Sequence, residues 1–276
     1  MQLLQERNPG LAGRLPVGSG AILRRITRER RINREIAAAR SCTGKTPGFS
    51  EVKEFCDRTL ARLGISISTI GTEYLREADR PIICSNHPTG GIEGLALIST
   101  IIGIRGRCCV PANDLLNLVT PLQPVILPVN RGQPTRDRAL SLLGAFRGTD
   151  PILLFPAGVT ARVHGGVLRE RPWEPTFVTR ARQAERSLVP VHVSGRNSRR
   201  FYLIHRGRRA LGINFNLEMA LLVDELFQRH GETVVLRFLP PRHAVGRNRS
   251  DDRRQAEAIR QDVERAGRYQ KLETEP

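Results

Sequence analysis

A histidine and a carboxylate lie close together in a turn-rich segment of the chain and could act as one chemical unit. The segment SNHPTGGIEG places His87 six positions before Glu93. On one continuous helix this spacing would put the two side chains on divergent faces, but the Pro-Thr-Gly-Gly turn between them frees His87 to fold back. A carboxylate that accepts the Nδ1 proton fixes the imidazole tautomer and leaves Nε2 as a general base. The segment therefore predicts a histidine–carboxylate dyad.

Three further loops follow predicted strands and combine glycine or proline with polar side chains. LPVNRG contains Asn130 and Arg131, FPAGVTAR contains Gly158 and Arg162, and residues 189–198 read VPVHVSGRNS. Two guanidinium groups at strand ends can hold a phosphate or a carboxylate. A lone histidine near glycine is more often structural, and any one of these arginines could be ordinary surface charge. The order and spacing of four such loops favour a functional site over that alternative.

Short β-rich runs alternate with segments long enough to form helices. The predicted strands are residues 81–85, 124–129, 151–155, 188–193 and 233–239. Residues 81–130 hold only four charged side chains and therefore form the core; these are Glu93, Arg105, Arg107 and Asp114. A helix is predicted over Glu51–Leu63, ended by Gly64. The alternation indicates an α/β fold with a mixed, mostly buried sheet flanked by helices.

The two ends of the chain predict helices outside this alternation. Within residues 1–40, nine arginines stand against three glutamates, and the apolar residues fall on one half of a helical wheel. This basic amphipathic segment could be a helix packed on the surface or one that binds a membrane interface. Near the other end, apolar residues recur at helical spacing after Ser250; these are Ala256, Ile259, Val263 and Ala266. We therefore divide the chain into residues 1–45, 46–245 and 246–276.

The charge balance predicts an anionic partner. The chain has 276 residues, 44 Lys plus Arg against 27 Asp plus Glu, and a net charge of +17. Nucleic acid, a membrane surface, or an acidic substrate or carrier protein would each match it. An aromatic content of 5%, without basic–aromatic interleaving, argues against nucleic acid.

Other functional classes are disfavoured by apolar and cysteine patterns. The longest apolar stretch, residues 94–104, is shorter than the roughly 20 residues of a membrane span, and the first residues do not resemble a signal peptide. The five cysteines are scattered without metal-ligand spacing, so we expect reduced thiols and no metal site. These features predict a cytoplasmic protein.

The four loops together resemble a known family. NHPTGGIEG, PVNR at 128–131, FPAG with the following Arg162, and the later run from Ser194 to Phe227 are similar to blocks of the glycerolipid acyltransferases. The closest resemblance is to a hemolysin-like branch that includes the O-acyltransferases of ornithine- and glycine-containing aminolipids. The chain departs from that pattern at Glu93, where the branch has Asp, and at Val159, where the third block usually has Glu.

The resemblance implies a reaction and a set of site residues. His87 and Glu93 would be catalytic in moving an acyl chain from an acyl carrier protein or a CoA thioester to a lysolipid hydroxyl. The residues implied in substrate binding are Asn86, Gly90, Gly91, Asn130, Arg131, Gly158 and Arg162. Backbone N–H groups of the glycine turn could stabilise the oxyanion. No cofactor or metal is implied.

The partners follow from the same resemblance. They are a lysolipid, the acyl carrier protein or CoA thioester, and an anionic membrane on whose cytoplasmic face the protein would work; nucleic acid is not expected. The two departures also leave open a catalytically silent lipid-binding protein with the same fold.

Overall fold

The computed structural model describes residues 48–112, 116, 119–129, 136–164, 167–210, 225 and 228–274. The predicted amino-terminal helix, Asn130 and Arg131 lie outside these residues. The helices are α1 Phe49–Arg62, α2 Thr72–Glu77, α3 Ile92–Arg105, α4 Arg136–Arg147, α5 Thr176–Gln183, α6 Arg199–Ala210 and α7 Arg249–Thr274. The strands are β1 Ser66–Ile70, β2 Ile82–Ser85, β3 Val110–Ala112, β4 Ile126–Pro128, β5 Ile152–Leu154, β6 Arg162–His164, β7 Val167–Arg169, β8 Ser187–Val193, β9 Thr233–Phe238 and β10 Arg242–His243.

The main sheet has the strand order β1-β9-β8-β2-β5, with β10 paired to the start of β8. Pairing is parallel throughout this path except between β8 and β9, which are antiparallel. Two small sheets also lie within the described ranges, a parallel β3–β4 pair and an antiparallel β6–β7 hairpin. The predicted α/β fold with a mixed, buried sheet flanked by helices is confirmed.

Helices cover both faces of the main sheet, as the buried strands require. Alternate residues of β2 point to opposite faces, so that Ile83 packs with residues of α1 and α3 while Ile82 and Cys84 pack with residues of α5 and α7. The four apolar residues predicted on the carboxyl-terminal helix are all buried, and Ala256, Ile259 and Val263 belong to this second layer, which makes α7 part of the core. None of the helices in the described ranges is long and apolar enough to cross a bilayer.

A buried arginine closes the edge of the sheet at which β2, β5 and β8 begin. Arg186 is 1% exposed, and its guanidinium donates only to backbone carbonyls. The acceptors are the carbonyl oxygens of Arg80, Pro81, Ala145, Phe146, Gly148 and Asp150. Burial, followed by the charge of Arg80, lowers the pKa of Arg186 to about 10. These carbonyls lie at the amino-terminal ends of the strands. The loops that can form a site are therefore those at the carboxyl-terminal ends.

Helix α7 approaches β8 closely at a glycine. A Cβ atom on Gly267 would lie 2.3 Å from Cε1 of His192, so only a glycine lets the helix backbone pass over the imidazole. Burial lowers the pKa of His192 from 6.5 to about 4; a hydrogen bond to the backbone of Val263 opposes this shift, and the charge of Arg237 adds to it. The imidazole is therefore neutral in the folded protein at neutral pH.

The buried imidazole predicts acid sensitivity of the fold. Between pH 6.5 and 4 the unfolded chain binds the His192 proton and the folded chain does not. The free energy of unfolding should therefore decrease by about 3 kcal/mol as the pH is lowered from 6.5 to 4. Urea unfolding of the wild type and His192→Asn at several pH values measures this contribution. Removal of the histidine should flatten the dependence in this window. Equal slopes for the two proteins would show that His192 does not titrate with unfolding.

Candidate active site

The site lies where two neighbouring parallel strands end. His87 follows β2, the loop from Phe155 follows β5, and the carboxyl ends of adjacent parallel strands form a crevice at the sheet edge. The two aromatic rings meet there, with the centroids of His87 and Phe155 4.4 Å apart. The imidazole remains 21% exposed.

Glu93 points back from the first turn of α3 into its own amino-terminal turn. Its carboxylate is fully buried and accepts backbone N–H bonds from Thr89 at 2.9 Å, from Gly90 at 2.7 Å and from Gly91 at 3.2 Å. The hydroxyl of Thr89 donates to its second oxygen. These donors sit at the positive end of the helix dipole, which also favours an anion. The carboxylate is therefore fixed in position and charge.

The same carboxylate meets the imidazole. Nδ1 of His87 lies 2.8 Å from Oε1 of Glu93, although the ring is not aligned for a straight hydrogen bond. Such looseness is common before substrate binds. Burial alone would raise the pKa of Glu93, but the close contact and charge of His87, with the bonds from Thr89 and Gly90, outweigh it and lower the pKa to about 2. An ionised partner on Nδ1 leaves the Nε2 lone pair directed away from Glu93.

The backbone of His87 is held on both sides by loops that follow later strands. Its N–H donates to Oε1 of Glu170, and its carbonyl accepts from the N–H of Ala161 at 3.0 Å. The indole of Trp173 donates to the other oxygen of Glu170 at 2.9 Å. Burial raises the pKa of Glu170, and the bonds from Trp173 and His87 only partly offset this. The side chain of Glu170 thus holds the main chain of His87 and leaves the imidazole partly exposed.

Asn86 fastens the site to β8. Its side-chain amide donates to the carbonyl of Val193 at 2.9 Å and accepts from the N–H of the same residue at 2.7 Å. The side chain therefore continues the β2–β8 ladder by one step beyond the paired backbone. Because both ends of its amide are engaged by Val193, Asn86 fixes the chain next to His87.

Two of the predicted glycines are needed for their backbone conformation. Gly90 has φ +94° within the turn that wraps Glu93, and Gly158 has φ +64° where its N–H closes a turn onto the carbonyl of Phe155. Side chains are strained in this region of φ. Gly91 precedes α3 and contributes its N–H to Glu93.

The turn does not support the oxyanion role predicted for it. The N–H groups of Thr89, Gly90 and Gly91 already donate to the buried carboxylate. A tetrahedral oxyanion would have to displace an ionised group with a pKa of about 2. These donors fix Glu93.

Arg162 is held beside the histidine loop. Its guanidinium donates to the carbonyl oxygens of Thr160 at 3.0 Å and Ala161 at 3.1 Å, and to the Thr160 hydroxyl. Its Cζ lies 4.9 Å from the centre of the Phe201 ring. Because the preceding residue, Ala161, binds the His87 carbonyl, Arg162 is fixed relative to the imidazole.

The structure thus brings together His87, Glu93, Asn86 and the predicted glycines, with Arg162 at their side. The roles of these residues in catalysis and binding stay predictions. Sequence reasoning missed Thr89, Phe155 and Glu170. The hydroxyl of Thr89 lay within the quoted motif, but Glu170 lies in a charged stretch, RERPWE, that matches no pattern.

Comparison with known proteins identifies the family of this chain. The sequence profile of the Acyltransferase family matches residues 2–267. Two lyso-glycine lipid O-acyltransferases, from Bacteroides thetaiotaomicron and Phocaeicola vulgatus, are each 35% identical over 191 residues; the match covers 68% of this chain and 70% and 68% of theirs.

A solved structure shares the fold. The 1-acyl-sn-glycerophosphate acyltransferase from Thermotoga maritima superposes with a TM-score of 0.51 at 11% identity, over 79% of each chain. The extent of the family match and the identity to the two relatives assign this protein to a family of enzymes. The chain belongs to the acyltransferase family.

Proposed function

We propose that this acyltransferase moves a fatty acyl chain from a thioester to the hydroxyl of a lysolipid, with a lyso-aminolipid as the preferred acceptor. The observation that carries the proposal is the contact of His87 Nδ1 with a buried, ionised Glu93 at the carboxyl ends of β2 and β5. The 35% identity to two lyso-glycine lipid O-acyltransferases supports the choice of acceptor class.

His87 acts as the general base. Nε2 takes the proton of the acceptor hydroxyl as its oxygen attacks the thioester carbonyl, and a carbon–oxygen bond forms. Collapse of the tetrahedral intermediate breaks the carbon–sulfur bond, and the departing thiolate receives the proton from the imidazolium. Glu93 stabilises the imidazolium between these steps. No covalent acyl-enzyme is required.

The arginines bind the acceptor head group. Arg162 lies beside the histidine loop, and we assign Arg131 to the same role from its place in the PVNR motif. The anion that they hold is a carboxylate in an aminolipid and a phosphate in a lysophospholipid. Arginine's planar fork suits both groups.

The remaining partners follow from the chemistry. The donor is an acyl carrier protein or a CoA thioester, and because a thioester is already activated, transfer needs neither a metal nor an organic cofactor. The protein would meet its acceptor as a peripheral protein on the cytoplasmic face of the membrane. The net charge of +17 matches an anionic lipid surface and an acidic carrier protein.

Lysolipid panels test the proposal. The purified protein is given acyl carrier protein or CoA thioesters with lyso-glycine lipid, lyso-ornithine lipid or lysophosphatidate, and products are measured by mass spectrometry. We expect O-acylated product, at a higher kcat/KM for the lyso-aminolipids than for lysophosphatidate. Product from none of the acceptors would overturn the proposal and favour a silent lipid-binding protein.

A further inference from the structure

We propose that helix α6 docks the protein on an anionic bilayer, with Leu203 inserted among the lipid head groups. The surface consists of Arg196, Arg199, Leu203 and Arg206, and we call it the α6 face. This inference rests on the proposed function in one respect, that a lysolipid acceptor resides in a membrane. The docking itself is measured without catalysis.

The charge of this segment is of one sign. Residues 194–210 read SGRNSRRFYLIHRGRRA and contain six arginines and no acidic residue. On α7, by contrast, arginines pair with neighbouring acids, as Arg254 does with Asp251 and Arg260 with Glu257 and Glu264. Arg196, Arg199 and Arg206 form no ion pair with any residue that the structure describes. Their charge is therefore available to an anionic partner.

The geometry places an apolar side chain among these charges. Leu203 is 63% exposed, and Arg199 and Arg206 are exposed beside it. At about 100° per residue, both arginines lie within about 60° of Leu203 on the helix. Phe201, about 160° away, is fully buried. Cations around an exposed leucine are the pattern with which an interfacial helix binds anionic lipid.

The buried side of α6 contacts a residue next to the loop that holds His87. The Phe201 ring packs under the guanidinium of Arg162, and the N–H of Ala161, next to Arg162, binds the carbonyl of His87. The start of the helix is held by Ser198, whose Oγ accepts from the N–H of Phe201 and donates to buried Glu225. Helix α6 would therefore lie between a bilayer on the α6 face and the loop that holds His87.

The chain offers a matched control position. Val245 is 66% exposed, close to the 63% of Leu203, but it follows β10, which pairs with the start of β8 at the opposite edge of the sheet from His87. The only native tryptophan, Trp173, is 4% exposed. The wild-type emission spectrum can therefore be subtracted from those of Leu203→Trp and Val245→Trp in the full chain.

The experiment adds vesicles of phosphatidylglycerol and phosphatidylcholine, or of phosphatidylcholine alone. With the anionic vesicles, Leu203→Trp should shift its emission to shorter wavelength and be quenched by brominated acyl chains, while Val245→Trp should do neither. Pure phosphatidylcholine should leave both unchanged. An unchanged Leu203→Trp spectrum on the anionic vesicles would overturn the proposal.

Charge reversal separates docking from chemistry. Arg199→Glu with Arg206→Glu should weaken binding to anionic vesicles by about tenfold or more, whereas the same change at exposed Arg249 and Arg253 on α7 should have a smaller effect. With a short-chain lysolipid below its micelle concentration, the α6 variant should keep its kcat/KM. Equal weakening by both pairs would contradict a specific α6 face. A Leu203→Trp shift without turnover of any acceptor would retain the docking and reject the proposed function.

Discussion

Replacement of His87 by alanine is expected to lower the rate of acyl transfer by about 10²- to 10⁴-fold, the range that a general base contributes. Without the imidazole, no described group takes the hydroxyl proton at this point of the crevice. The fold should persist, because the side chain is 21% exposed and Glu93 keeps its bonds from Thr89, Gly90 and Gly91. Single-turnover acylation of a lyso-aminolipid measures the loss.

The matched control is His243→Ala, since His243 is exposed on β10 at the far edge of the sheet. It should retain the wild-type rate, and thermal unfolding followed by circular dichroism should show both variants folded. Wild-type turnover by His87→Ala would remove the histidine from the mechanism.

Replacement of Glu93 by glutamine is expected to reduce both stability and turnover. A neutral amide has one acceptor oxygen for donors that now share two, and an unsatisfied buried donor costs about 1–3 kcal/mol. We expect a loss of about 2–4 kcal/mol in the free energy of unfolding. The imidazolium formed during transfer would lose its counter-charge, so kcat should fall by about 10²-fold or more.

Glu93→Asp provides the comparison. It keeps the charge but shortens the side chain by one methylene, so it should lie between the wild type and Glu93→Gln in turnover. Urea unfolding and initial rates on the same preparations separate the two effects. If Glu93→Gln transferred acyl groups at the wild-type rate, the carboxylate would be structural only.

The pKa of Glu93 adds a pH test. Its folded-state pKa of about 2 lies below the ordinary 4.5, so its contribution to stability is present above pH 4.5 and is lost as the pH falls through about 2. The wild type should therefore lose stability relative to Glu93→Gln only in strong acid. This window, from pH 4.5 to about 2, lies almost entirely below the window from pH 6.5 to about 4 assigned to His192.

The strands show how much of the fold the local sequence predicts. The predicted strands at 81–85, 151–155 and 188–193 correspond to β2, β5 and β8, because buried parallel strands are continuous apolar runs. β1 was missed, since its residues Ser66–Ile70 are mostly exposed at the sheet edge and lack that signal. The reversed direction of β9 against β8 also has no local signature.

The features of the site also divide into those that the local sequence determines and those that only the fold decides. The sequence by itself determined the dyad candidates, the glycine turn and the Acyltransferase resemblance, because motif chemistry resides in neighbouring residues. The tertiary structure alone decided that the glycine N–H groups serve Glu93, that Asn86 binds Val193 107 positions away, and that Glu170 holds His87 across 83 positions. Such contacts depend on how strands are ordered in the sheet, and no periodicity within a short segment encodes that order.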